Sequence, residues 1–344
     1  MLLPYNSKSY QILEDKSNSG QVRPWQDKKC KSILTAQSFQ RLGMDEVAAN
    51  VFSCGTVLAF KVLDDESLRL HSANFCKVRL CPLCAWRRSL KVFGQVSQIM
   101  DEATKDKEYK FLFLTLTIRN VSGSELSNSI DQVLKGYRTL FDKKVVKQNI
   151  VGAFRALEIT HNTNKHSRNY DTYHPHLHCI LMVHKSYFHK NYITQSQWVE
   201  LWKKSVGVEY QPIVHIEKIT GTEENLKKAV AETAKYTVKD SDYLNSDTQL
   251  QDRAILNLYK SMSGRRLISF RGEFLKIQKR LKLDDCIDGD LVHVSGEDPE
   301  LRDDVKIVVY KWYRGLFNYF LVDRNNEFVD QNLENVGVNE AGNM

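Results

Sequence analysis

Between Phe111 and Lys239 the spacing of apolar residues changes period several times, and the order of those changes leaves few folds open. FLFLTLTI, Phe111 to Ile118, is the run of a buried strand. SELSNSIDQVLKGYRTLF follows, with Leu126, Ile130, Val133, Leu134, Tyr137 and Phe141 at helical spacing and Ser124 in position to cap. Two strands are expected next, Val151 to Thr160 and His176 to Val183, joined by the polar NTNKHSRNYDTY as a long hairpin connection. A helix over Gln195 to Lys204, a strand at Pro212 to Ile219 and a helix from Glu223 to Lys239, opened by Thr220 or Thr222, complete the order βαββαβα. The prediction is an α+β domain on an antiparallel sheet in the ferredoxin-like arrangement, with helices on one face and the other face free for a ligand.

The flanks read differently. Residues 1–33 are polar and aperiodic, as in a flexible arm, and residues 34–100 hold a Cys-rich module. The α+β domain is assigned to 105–283, with a further helix over Gln251 to Met262 and a basic stretch from Arg265 to Lys282. Residues 284–344 form an acidic C-terminal region in which KIVVYKWYRGLFNYFLV predicts a β-hairpin turning at Arg314-Gly315, and the last fifteen residues are polar enough to fray. No apolar run reaches the roughly 18 residues of a membrane span, and Met1 to Tyr10 lacks a signal-peptide pattern. A cytoplasmic protein with no membrane partner is expected.

Charge is unevenly distributed. Asp284 to Met344 carries 14 acidic and 5 basic residues, −9, which leaves +16 on the preceding chain within an overall +7. A body that basic attracts polyanions, and nucleic acid is the usual one, because each phosphate contact releases condensed counterions.

Seven cysteines make an odd number and a poor disulfide framework, but three crowd into FCKVRLCPLC. Cys81-Pro-Leu-Cys84 is a C-x-x-C turn that lets two thiolates reach one tetrahedral ion, with Cys76 as a third. Cys54, before a glycine in VFSCGT, is the leading fourth ligand, with His71 and then Cys30 as alternatives. Structural zinc fits this set, closing a module too small to fold on apolar burial alone; small buried thiols or a redox pair is the competing reading. Arg79, Arg87, Arg88 and Lys91 decorate the module as candidate phosphate contacts, or as a solvated charged face.

In HPHLHCILMV, strand alternation puts His176 and His178 on one face, about 7 Å apart along the backbone. Placing Glu158 of the neighbouring strand across from His178 brings a carboxylate to the same face. Two imidazoles and a carboxylate suit a catalytic divalent ion, Mg or Mn in a nucleic-acid enzyme, and His174 is an alternative third ligand. On the following helix Glu232 and Tyr236 are four apart, with Lys239 three further on. Beside a metal-polarised phosphodiester and a lysine cation, a phenol can attack phosphorus; alternatively Tyr236 is an amphipathic core residue.

The ordered set FLFLTLT, HPHLHCILMV and ETAKYTVK, preceded by CKVRLCPLCAWRRSLK, resembles the HUH endonucleases, specifically the single-tyrosine rolling-circle replication initiators of Gram-positive plasmids. The resemblance spans roughly residues 50 to 280 and labels 105–283 an HUH endonuclease domain. It implies that His176 and His178 hold the metal, that Glu158 is a third ligand, and that Tyr236 is the nucleophile. It also implies nicking of one strand at the double-strand origin, a 5′-phosphotyrosine, a 3′-OH primer, and termination by water activated at Glu232. Lys239 and Lys235 accompany the nucleophile as catalytic and DNA-binding cations. Origin DNA, both duplex and single-stranded hairpin, and a host helicase are the implied partners, with a homo-oligomer on DNA left open. Other readings are an HUH transposase or relaxase, a non-catalytic zinc-module DNA-binding regulator, and a histidine-triad nucleotide hydrolase suggested by HPHLH.

Overall fold

In the computed structural model, which describes residues 11–17, 19–220, 223–234, 237–294 and 306–322, the chain opens with α1 (Trp25–Arg41), α2 (Asp45–Ser53), β1 (Val57–Val62), β2 (Leu68–Ala73) and α3 (Pro82–Thr104). The middle runs β3 (Tyr109–Thr117), α4 (Leu126–Asp142), α5 (Lys144–Asn149), β4 (Ile150–Asn162), β5 (Thr172–His184), α6 (Tyr187–Lys190), α7 (Gln195–Val206), β6 (Val214–Ile219) and α8 (Glu223–Thr233). Then come α9 (Thr248–Met262), β7 (Ile268–Gly272), α10 (Glu273–Arg280), β8 (Ile307–Tyr313) and β9 (Asn318–Leu321). The expected βαββαβα order is present in a mixed α+β protein with two antiparallel sheets.

The larger sheet has the order β6-β3-β5-β4-β7. Its central strands are buried on both faces, which is why they read as nearly continuous apolar runs. Alternation still sorts the residues. Leu112, Leu114, Leu157, Leu177 and Leu181 join the core formed with α4, α7 and α9, whereas Phe111, Phe154, Ala156, Ile180 and Met182 join α3, α8 and α10. Helices therefore cover both faces, which corrects the one-faced expectation. The source is α3, whose Val92, Val96, Ile99 and Ala103 lie at helical spacing and reach from the Cys module onto the sheet. Pro175 is accommodated in β5 because it lies one position beyond the last β3 pair, Thr117↔His176.

The smaller sheet, β2-β1-β8-β9, draws on both ends of the chain. The predicted hairpin turns at Arg314–Leu316, but β8 pairs with β1 of the Cys module rather than standing in a separate region. Residues 25–33 are not an arm: they open α1, with Trp25 and Lys29 buried. Ser124 does not cap α4; Glu125 is the N-cap and its carboxylate accepts from the Ser122 amide and hydroxyl. Acidic residues 295–304, the cap candidate Thr222 and the last fifteen residues lie outside the described residues. Among the described residues no helix is long and apolar enough to cross a membrane.

Candidate active site and metal centres

Adjacent strands build the first cluster. Glu158 of β4 stands opposite His176 of β5, not His178, which faces Ala156; the shift is two residues, so all three side chains keep the same face. Their ligand atoms lie within 4.8 Å of one another and all three residues are buried. Glu158 Oε2 lies 2.9 Å from His178 Nε2 and 3.4 Å from His176 Nε2. The far side of each ring is held: His176 Nδ1 meets the His174 carbonyl at 3.0 Å, and His178 Nδ1 meets Thr115 Oγ1 of β3 at 3.3 Å. With these Nδ1 contacts carrying the ring proton, each Nε2 would be free to meet an ion placed between it and the carboxylate, the arrangement a chelating imidazole needs. Burial would raise the Glu158 carboxyl, but hydrogen bonds and charge from His176 and His178 hold it well below the usual carboxylate range. Two nitrogens and a hard oxygen suit a divalent ion. His174 stacks on His176 with ring centroids 5.2 Å apart but does not join the ligand group.

The helix after β6 departs from expectation. α8 ends at Thr233, so Lys239 follows in extended backbone and Glu232 sits in the last turn, half-buried. Lys239 therefore stands off the helix that carries Glu232, which corrects the expectation of a helix running to Lys239. Thr233 Oγ1 turns back onto the Ala229 and Val230 carbonyls at 3.0 Å each, and past it the Thr237 carbonyl accepts from the Ile159 amide at 2.7 Å. β7 pairs with β4 only as far as Ala156, so the chain after α8 takes over that edge. The result brings Lys239 Nζ within 3.4 Å of Glu158 Oε1. Tyr236 and Lys235 lie outside the described residues.

The second cluster unites Cys54, Cys76, Cys81 and Cys84, whose sulfurs lie within 4.8 Å of one another; His71 and Cys30 stand outside the group. Cys54 and Cys84 sulfurs are 3.5 Å apart, and Cys76 and Cys84 are 3.7 Å apart. Backbone amides support them, Cys76 N–H donating to Cys54 Sγ at 3.4 Å and Lys77 N–H to Cys84 Sγ at 3.3 Å. Cys81 is the N-cap of α3 with Pro82 at N1, a helix N-terminus that favours thiolate at Cys81. Burial alone would raise the Cys81 thiol, but hydrogen bonds from Cys54, Cys76, Cys84 and Ser32 take it well below the usual range. Four thiolates with amide donors suit zinc.

The basic residues of α3 and its lead-in are engaged by the chain itself. Arg87 and Lys91 are buried. Arg87 donates to the Leu291 and Val292 carbonyls at 2.9 and 2.6 Å, and Lys91 to Asp284 Oδ2 and the Asp290 carbonyl at 2.6 and 2.8 Å. Arg88 donates to Ile287 and Lys77 carbonyls, and Arg79 to those of Met262 and Arg265. Arg87 and Lys91 thus face inward, and Arg79 and Arg88 are half-buried: irregular segments leave backbone carbonyls that need donors, and these side chains supply them. Thr115, Lys29 and Ser32 were missed from the sequence. Thr115 sits in an apolar strand run, and the other two lie in what reads as a polar arm.

Fold and clusters together define a protein that joins a His-His-Glu group able to hold a metal ion, on a sheet, to a four-cysteine module. The family described as "Replication protein" matches residues 67–320. The chain is 40% identical to "Protein rep" of Bacillus amyloliquefaciens, covering 92% of this chain and 99% of the relative. It is 39% identical to "Protein rep" of Streptococcus pneumoniae, covering 91% and 96%, and 39% identical to that of Lactiplantibacillus plantarum, covering 90% and 99%. No solved structure matches. The chain belongs to the Rep_1 family of plasmid replication proteins.

Proposed function

We propose that this replication protein starts a round of rolling-circle synthesis by cutting one strand of its plasmid's double-strand origin through Tyr236. The observation that carries the reading is the grouping of Glu158, His176 and His178 on neighbouring strands, with Lys239 reaching Glu158 from the segment just after Tyr236. The phenolic oxygen of Tyr236 attacks phosphorus and loses its proton, a bond to the 5′ phosphate forms, and the bond to the 3′ oxygen breaks. The 3′ oxygen takes up a proton and primes synthesis. The phosphodiester is exchanged for a phosphotyrosine, so the step is reversible and strand transfer can follow.

A divalent Mg or Mn held by His176, His178 and Glu158 supplies Lewis-acid polarisation of the scissile phosphate when bound. Lys239 adds positive charge beside that carboxylate, Lys235 contacts the DNA backbone, and Glu232 acts as general base toward water when the round ends. Cys54, Cys76, Cys81 and Cys84 hold a structural zinc. Origin DNA in duplex and single-stranded hairpin form is the substrate, and a host helicase is the protein partner. The sheet with its buried His pair is read as an HUH-type endonuclease domain. Membership in a replication family favours strand cleavage over nucleotide hydrolysis.

Incubation of supercoiled origin plasmid with the protein and Mn is expected to give open circles with protein attached, and the adduct should map to Tyr236. Nicking by Tyr236→Phe at the wild-type rate would sink this reading.

A further inference from the structure

Residues 237–244, which follow the nucleophile in sequence, form a strap held from two sides. On the sheet side the Thr237 carbonyl accepts from the Ile159 amide at 2.7 Å, and the Asp242 carbonyl meets His161 Nδ1 at 2.9 Å. His161 is fixed in turn by Asp171 Oδ1, 2.9 Å from Nε2, and by stacking on Tyr173 with centroids 4.4 Å apart. Between these two ties Lys239 reaches Glu158.

The other side of the strap is held by the cysteine module. Lys28 Nζ pairs with Asp240 Oδ2, and Lys31 Nζ lies 3.3 Å from Asp240 Oδ1. The buried Tyr243 hydroxyl donates to the Leu80 carbonyl at 2.8 Å, and Leu80 directly precedes Cys81. Helix α1, which supplies Lys28 and Lys31, also grips the cysteine loops. Lys29 donates to the Phe52 and Cys54 carbonyls at 2.7 Å each, and Ser32 Oγ lies 3.5 Å from Cys81 Sγ. One helix thus holds the metal loops with one pair of residues and the strap with another.

We propose that the cysteine module is a positioning element for strand cleavage: through Asp240 and Tyr243 it fixes the strap that sets Lys239 against Glu158 and anchors the chain immediately after Tyr236. The inference rests on the cleavage reading above. Asp240 and Tyr243 are positioning residues; their effect passes through Thr237 and Lys239. A misplacement of about 1 Å at a reacting group lowers rates on the order of a hundredfold, so loss of one tie registers in the chemical step before it registers in DNA binding.

The test uses full-length protein on supercoiled origin plasmid with Mn, measuring kcat and KM for nicking, with hydrogen exchange of the strap amides in parallel. Asp240→Asn is expected to lower kcat about tenfold, leave KM within about twofold, and speed exchange over 237–244. Asp240→Glu should restore kcat to within about threefold of wild type, and Tyr243→Phe should lower kcat about threefold at unchanged KM. Wild-type kcat in both Asp240→Asn and Tyr243→Phe, or a loss confined to KM, overturns the proposal. If Asp240→Asn does not fold, Tyr243→Phe decides by the same criteria. Failure of the cleavage reading is separate: it appears as nicking that survives Tyr236→Phe in an otherwise unaltered protein.

Discussion

Replacing Arg87 by Met separates a structural cation from a phosphate contact. Arg87 is 4% exposed, donates to two carbonyls of the segment after α10, and lies 5.4 and 5.6 Å from the Trp25 and Trp86 ring centroids. Methionine keeps the apolar stem and removes every donor. Two buried carbonyls left unpaired cost about 1–3 kcal/mol each, and loss of the aromatic contacts about 1 kcal/mol more. Against this, burial pushes Arg87 down from the usual arginine range to about 10, and relief of that desolvation returns about 3 kcal/mol. The expected net loss is about 0–4 kcal/mol, centred near 2, read as a lower urea midpoint at unchanged m-value.

The same variant is then titrated onto origin DNA at several salt concentrations. Each phosphate contact contributes about 0.9 to the slope of log K against log salt, so a buried Arg87 leaves that slope unchanged. A slope that falls by about 0.9 while the urea midpoint stays at the wild-type value would refute the inward reading of this helix.

Thr115→Val removes the hydroxyl behind His178 and should weaken Mn binding about tenfold by calorimetry; unchanged affinity would contradict its role in orienting the ring. Cys84→Ser should drop zinc below one ion per chain by elemental analysis, with a lower melting temperature; a full complement of zinc would remove Cys84 from the ligand set. Hydrogen bonding from Lys91 holds the Asp284 carboxyl below its ordinary range, so its contribution to stability is present above the unfolded carboxylate pKa near 4 and is lost as pH falls through the lower folded value. Asp284→Asn should therefore flatten the acid limb of a plot of urea midpoint against pH, and an unchanged limb would exclude the pair. Gly272 has φ +57, and a Cβ there would lie 2.1 Å from the Val151 carbonyl oxygen. Gly272→Ala should destabilise by about 2 kcal/mol or more, and a wild-type melting temperature would show that the β4–β7 edge yields easily.

What the sequence disclosed follows the kind of physics each element depends on. The strands from β3 to β6 and the helices α4 and α7 bury apolar faces, so periodicity located them, missing ends by a few residues, while the short α5 and α6 gave no such signal. α1 escaped because much of its buried face is polar: Lys28 and Lys29 donate to a carboxylate and carbonyls from elsewhere in the chain, Ser32 and Thr35 turn back onto carbonyls of α1 itself, and Ser38 accepts from Gln251 and Arg41. Hydropathy does not register a buried lysine whose partners lie 23 or 212 positions away. The inward turn of Arg87 and Lys91 escaped for the same reason, since their acceptors lie 193 to 205 residues further on.

The metal cluster shows why an inexact register still located a site. Glu158 was expected opposite His178 and stands opposite His176, a slip of two residues. Strand side chains alternate with period two, so an even slip moves the carboxylate along the face without turning it over. A slip of one would have buried Glu158 in the leucine layer with Leu157 and Leu177, where an unpaired carboxylate is strongly disfavoured. Parity, fixed by the apolar residues on either side, therefore carried the chemistry. End-of-helix geometry had no such protection: each further helical residue turns the side chain by about 100°, and α8 stops at Thr233, short of the expected Lys239, while a backbone bond between Thr237 and Ile159 still leads Lys239 to Glu158.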